Sequence, residues 1–198
     1  EEHVQEQVDA RLREEHPEAK TVREALLNYF PELAYAKGCG LRDGSETQMQ
    51  KAVSIAREAD VVILALGGKV GWDEACTGGE GIDDVTAELP EIQLQLLEKI
   101  ADVNPNVVIV HTDGKPLIGE KAYMKSRAVI EAWLPGPMGG SAIADVLCGT
   151  YDPGGRLPVD VPRHSGQMPI YYYQRRSAML GKGYQSVPES PQFPFGYG

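Results

Sequence analysis

The sequence predicts an α/β protein with a doubly wound, mainly parallel sheet. Three observations carry that expectation. "DVVILALGG", "NVVIVHT" and "AVIEAWL" are short apolar runs rich in β-branched residues, as strands covered on both faces require. Between them lie longer segments with apolar residues at helical spacing. From Thr21 to Gly149 the two kinds of segment alternate, which is the signature of parallel strands joined by helical crossovers.

Val4, Val8 and Leu12 form one thin apolar stripe, predicting a helix from about Glu2 to Glu15 that ends near Pro17. Residues 1–20 therefore read as an N-terminal helix or linker, and 21–198 as the α/β domain. "TVREALLNYF" is a second helix, capped by Thr21, with Val22, Ala25, Leu26 and Phe30 turned inward. "ELAYAKGCG" reads as a short strand closed by glycines. Ser45 and Gln48 have capping-box spacing and open a helix whose apolar face is Met49, Ala52, Val53 and Ala56. Pro90 suits the first turn of the next helix, which runs to about Ala101 with Ile92, Leu96 and Ile100 in line. "GGSAIADVLCG" is the last helix, with Ile143, Val146 and Leu147 inward and Gly149 near its end. Beyond Gly149 the chain is rich in Pro, Gly and Tyr, predicting an ordered irregular tail lying over the sheet.

The formal net charge of −10 disfavours a nucleic acid or an anionic membrane as partner. No apolar run approaches the length of a membrane span. Cys39, Cys76 and Cys148 are too widely spaced for a disulfide framework or a zinc motif, and lean toward a reducing compartment. His3, His16 and His164 have no metal partner at ligand spacing. His111 ends a strand, where a structural donor is the commoner role than a base.

One loop stands out. "GGKVGWDEACTGGEGIDD" follows the first buried strand and is long for a connection inside a compact domain. In a parallel sheet, ligands bind beyond the carboxyl ends of the strands. The loop holds Trp72, Asp73, Glu74, Glu80, Asp83 and Asp84. An indole face stacks on a sugar ring, and carboxyl groups accept from hydroxyls or donate a proton. On chemistry alone a solvated surface loop explains the same residues. The glycines of "GGKVG" do not make a dinucleotide fingerprint, and there is no P-loop. No G-x-S-x-G elbow is present. Ser141, after two glycines, reads as tight packing of a helix start on a sheet.

Several blocks occur in a fixed order: "YAKGCG", "TGGEGIDD", "LPEIQLQLLEKI", "VVIVHTDGKPL", "VIEAWLPGPMGGSAIADVLCGTYDPGGRLPVDVP", "MPIYYY" and "PFGYG". This series resembles the second, C-terminal α/β sandwich domain of family 3 glycoside hydrolases, the β-glucosidase and β-xylosidase group. It spans about residues 20 to 198, and the run from Trp133 to Pro162 is the most specific part. The resemblance implies a three-layer, flavodoxin-like sandwich and a retaining mechanism with two carboxyl groups and no cofactor or metal. It implies a β-linked glycoside or oligosaccharide as substrate. The aspartate nucleophile would lie on a preceding barrel domain. Glu80 matches the family's acid/base glutamate, with Trp72, Asp73 and Glu74 as substrate-binding candidates.

The chain departs from the family pattern in two places. Asp83-Asp84 stands where an Asp-Arg pair is usual, leaving the loop's anchoring open. No Asp-Trp signature occurs, since "GWDEA" has the reverse order, and the chain is too short for a barrel. It also stops at "PFGYG", where members usually run on. The expectation is an excised or truncated domain, inactive alone. A free-standing carbohydrate-binding or interaction domain is the alternative.

Overall fold

The computed structural model describes residues 10–72, 76–82, 84–173 and 188–198. The described chain divides into two compact units. One comprises Leu134–Pro153 and the chain up to Ala34, and the other Tyr35–Trp133 and Gly154–Gly198.

The smaller unit holds three helices: α1 over described residues 10–15, α2 at Val22–Leu26 and α6 at Gly139–Leu147. Thr21 caps α2 as expected. Its hydroxyl accepts from the Glu24 amide, and the Glu24 carboxylate accepts from the Thr21 amide. Ala25 and Leu26 are buried, but Phe30 is 53% exposed, because α2 ends four residues earlier. The packing inferred at Gly139-Gly140 is present with a different partner. A Cβ at Gly140 would lie 1.9 Å from the carbonyl oxygen of Lys20, so the start of α6 rests on the chain entering α2 rather than on a sheet. At its other end the Thr150 amide donates to the Asp145 carbonyl and Gly149 to Val146, a Schellman closure.

The larger unit contains the sheet. Strands β1 (Val62–Gly67), β2 (Val107–Thr112) and β3 (Ala128–Glu131) are parallel and ordered β1-β2-β3. Helices α3 (Glu46–Glu58), α4 (Glu91–Ala101) and α5 (Glu120–Met124) complete an open parallel α/β arrangement. Leu64 and Leu66 of β1 and Val107 and Ile109 of β2 share one face of the sheet. They form a buried cluster with Met49, Ala52 and Ala56 of α3, Leu96, Leu97 and Ile100 of α4, and Leu117. α3 opens with the expected capping box between Ser45 and Gln48.

Two expectations fail here, and one element had none. "ELAYAKGCG" is not a strand of the described sheet. Gly38 turns to φ 70° with Leu96 packed against it, so the chain there cannot hold the extended form a ladder needs. α5 was missed, because five residues are too few to show a helical period. The tail aromatics do not all find cover. Phe193 packs edge-on against Tyr123, but Tyr171, Tyr172, Tyr173, Phe195 and Tyr197 are exposed and stack mainly among themselves.

Candidate functional site

The carboxyl ends of β1 and β2 lie side by side, with Gly67 opposite Thr112. The long loop leaves from Gly67, and its base is closed by hydrogen bonds. The Thr77 amide donates to the Lys69 carbonyl at 2.8 Å, and the Lys69 amide to the Thr77 hydroxyl at 3.0 Å. Val70 bridges Gly78, and the Gly71 amide donates to the Gly78 carbonyl at 3.1 Å. Cys76 and Thr77 are consequently buried, at 1% and 2% exposure.

Beyond this base the chain makes a tight turn. The Ile82 amide donates to the Gly79 carbonyl at 3.3 Å, leaving Glu80 and Gly81 as the two central residues. Gly81 has φ 74°, the value that favours glycine at the third position of a type II turn. Gly79 has φ 142° and lies where a Cβ would fall 2.0 Å from the Gly71 carbonyl oxygen. Glycine is therefore required on both sides of Glu80, on one by turn geometry and on the other by close backbone approach. Glu80 itself is exposed, and no hydrogen bond or ion pair holds its carboxyl among the described residues. Trp72 is 82% exposed. Asp73, Glu74 and Asp83 lie outside the described residues.

After the turn the loop is tied down again. Asp84 accepts from the Arg42 guanidinium at 3.0 Å and lies 3.9 Å from the Lys115 ammonium. The Ala87 amide donates to the Ser165 hydroxyl at 2.8 Å, and the Glu88 carboxylate accepts from both the amide and the hydroxyl of Ser165. Burial alone pushes the Glu88 carboxyl up, but these hydrogen bonds, with those from its own amide and that of Ala87, hold it below the usual carboxylate range.

Gln93, on the first turn of α4, secures the start of the loop. Its carbonyl oxygen accepts from the Gly67 amide at 2.9 Å, and its NH2 donates to the carbonyls of Gly67 at 2.8 Å and Leu41 at 3.0 Å. It is 4% exposed. The signal for it was present: Gln93, Leu96, Leu97 and Ile100 form a single i, i+3, i+4, i+7 stripe, and a polar residue on a buried stripe needs partners. Arg42 gave no such signal, because its partner Asp84 is 42 residues away.

At the end of β2, His111 is 1% exposed and pairs through Nδ1 with Oε1 of Glu131 on β3. The other oxygen of Glu131 accepts from the Leu117 amide at 2.8 Å. A carboxylate only accepts, which assigns the proton to Nδ1. His111 is thus the structural donor its strand-end position suggested. Glu131 had not been picked out from the sequence.

The chain matches, over residues 2–198, the family described as "Glycosyl hydrolase family 3 C-terminal domain". It belongs to that family. A β-xylosidase of Formosa agariphila is 34% identical over 166 residues, covering 83% of this family 3 chain and 22% of the relative. A periplasmic β-glucosidase of Salmonella typhimurium is 32% identical, with 77% and 20% covered. Among solved structures, the β-glucosidase of Listeria innocua in complex with isofagomine superposes with a TM-score of 0.78 at 31% identity, covering 91% of this chain and 26% of that one. The family 3 chain thus spans about a fifth to a quarter of the length of these relatives. Among the described residues, no helix is long and apolar enough to cross a membrane.

Proposed function

We propose that this chain acts as the second domain of a retaining, exo-acting β-glycosidase and supplies its general acid/base, Glu80. The observation that carries this reading is a contrast inside one loop. The base and the far end of the loop are hydrogen-bonded, while the glutamate between the two glycines is exposed and has no bonded partner among the described residues. A carboxyl group meant for a substrate oxygen must be free of intramolecular partners and held on a defined backbone. The β-glucosidase and β-xylosidase names of the relatives agree with a β-glycoside as substrate.

A preceding barrel domain would provide the nucleophilic carboxylate about 5–5.5 Å from Glu80. In the first step Glu80 gives its proton to the glycosidic oxygen as the nucleophile forms a covalent bond to the sugar. In the second step the Glu80 carboxylate takes a proton from the water that breaks that bond. Trp72 would offer its ring face to the leaving-group side, and Asp73 and Glu74 would accept from sugar hydroxyls. This mechanism calls for no metal or organic cofactor. The chain alone holds one half of the carboxyl pair, so it hydrolyses nothing by itself.

The test is Glu80→Ala in the intact polypeptide with its barrel. Turnover of an alkyl glycoside should fall about 10²- to 10⁴-fold. An aryl glycoside with an acidic leaving group should be spared in the first step, because that group departs without protonation. Unchanged turnover of the alkyl glycoside would falsify the role of Glu80.

A further inference from the structure

We infer that Arg42 is a positioning residue that holds the Glu80 turn in place from outside the loop. The inference deepens the reading of Glu80 as the proton donor and rests on it. One guanidinium nitrogen, Nη2, donates to the Cys76 carbonyl at 3.2 Å and to Oδ2 of Asp84 at 3.0 Å. Cys76 and Asp84 stand four residues to either side of Glu80. A single side chain therefore ties both ends of the segment that carries the acid.

The clamp is itself anchored. The carbonyl of Leu41, the residue before Arg42, accepts from the buried amide of Gln93 at 3.0 Å. The Gly40 amide donates to the Asp43 carbonyl at 2.7 Å and closes the turn on which Arg42 sits. On the loop side, Asp84 is only 19% exposed and has Lys115 as a second cation at 3.9 Å. Two cations converge on one carboxylate, so a positive charge at position 84 would meet repulsion from both.

This arrangement answers the departure seen in the sequence. Asp84 stands where the family resemblance leads one to expect arginine, and the positive charge comes instead from position 42. Arg42 is 44% exposed in this pair, and exposed ion pairs add little to global stability. Its effect is local. Geometry matters far more to proton transfer than to folding, and a displacement of about 1 Å can cost about 10²-fold in rate.

The experiment uses the intact polypeptide with four variants: Arg42→Ala, Asp84→Arg, the double exchange Arg42→Asp/Asp84→Arg, and Glu80→Ala. Two quantities are read, amide hydrogen exchange across residues 76–84 and kcat/KM on an alkyl and an activated aryl glycoside. Arg42→Ala should speed exchange in that segment without shifting the global Tm. It should lower the alkyl-glycoside rate about 10- to 100-fold and the aryl rate much less. Asp84→Arg alone should do the same, and the double exchange should recover only part of either loss, because an aspartate at position 42 cannot donate to the Cys76 carbonyl and Lys115 still faces the cation at position 84. Unchanged exchange in Arg42→Ala overturns the clamp. So does an equal loss on both substrates accompanied by a fall in Tm. Glu80→Ala keeps the two readings apart: a loss that ignores the leaving group removes Glu80 as the acid, while the exchange data still decide whether Arg42 holds the loop.

Discussion

Two neighbouring strands end side by side in this domain, and their carboxylates meet opposite fates. At the end of β2, His111 and Asp113 are buried, and Glu131 of β3 spends both its oxygens on His111 and the Leu117 amide. Beyond β1, the hydrogen bonds among the described residues of the loop fall on either side of Glu80 and none on its carboxyl. A carboxylate removed from water needs every lone pair answered, so Glu131 is committed to the fold. One left in water on a fixed turn costs the fold almost nothing and remains available to a ligand. The comparison separates an acid bound into the fold from one left in water without reference to their sequence neighbours.

Paired substitutions are the strongest way to break this comparison. Glu80→Ala should remove activity on poor leaving groups while shifting stability by under about 0.5 kcal/mol, as exposed sites usually do. Glu131→Ala should do the reverse. It leaves the His111 Nδ1–H and the Leu117 amide buried without partners, a loss of about 2–5 kcal/mol visible as a lower urea midpoint. Comparable destabilisation by the two variants would erase the distinction. Gln93→Ala is expected to be intermediate, at about 2–3 kcal/mol, because it frees the Gly67 amide and two carbonyls at the foot of the loop. Faster hydrogen exchange should begin there, at Gly67, and a uniform rise across the domain would contradict a local role.

Acidification gives the smallest effect. The Glu88 carboxyl is held below its usual range in the folded chain, so the unfolded chain binds the proton more readily. The stabilisation is present above the unfolded value of about 4.3 and is lost as pH falls through the lower folded value. Urea midpoints taken between pH 6 and pH 3 should therefore depend less steeply on pH in Ser165→Ala, which removes one of the hydrogen bonds to Glu88. An identical slope in both proteins would show that Glu88 does not contribute.

Local signals in the sequence were dependable where one element contains its own reason. The caps at Thr21 and Ser45 involve partners three residues away, and β1 and β2 are apolar runs that admit little else. The glycines around Glu80 read only as part of a long loop, and the tight turn they make, closed by the Ile82 amide on the Gly79 carbonyl, came from the structure. Where a signal needed a partner, reading by element failed. "ELAYAKGCG" has strand-like composition, but a strand exists only as part of a ladder, and Gly38 bends away under Leu96. Phe30 followed the inward period of α2 past the point where the helix stops.

The sequence by itself determined the parallel α/β class, most of its helices and strands, and the position of one acidic loop. These depend on periodicity and on contacts within a few residues, which the order of the chain encodes directly. Only the tertiary structure decided which acid is free and which is bound. The ties of Glu131 to His111, of Gln93 to Gly67 and of Arg42 to Asp84 join residues 20, 26 and 42 positions apart. Such pairings follow from how strands and loops converge in space, and nothing in the spacing of the residues announces them.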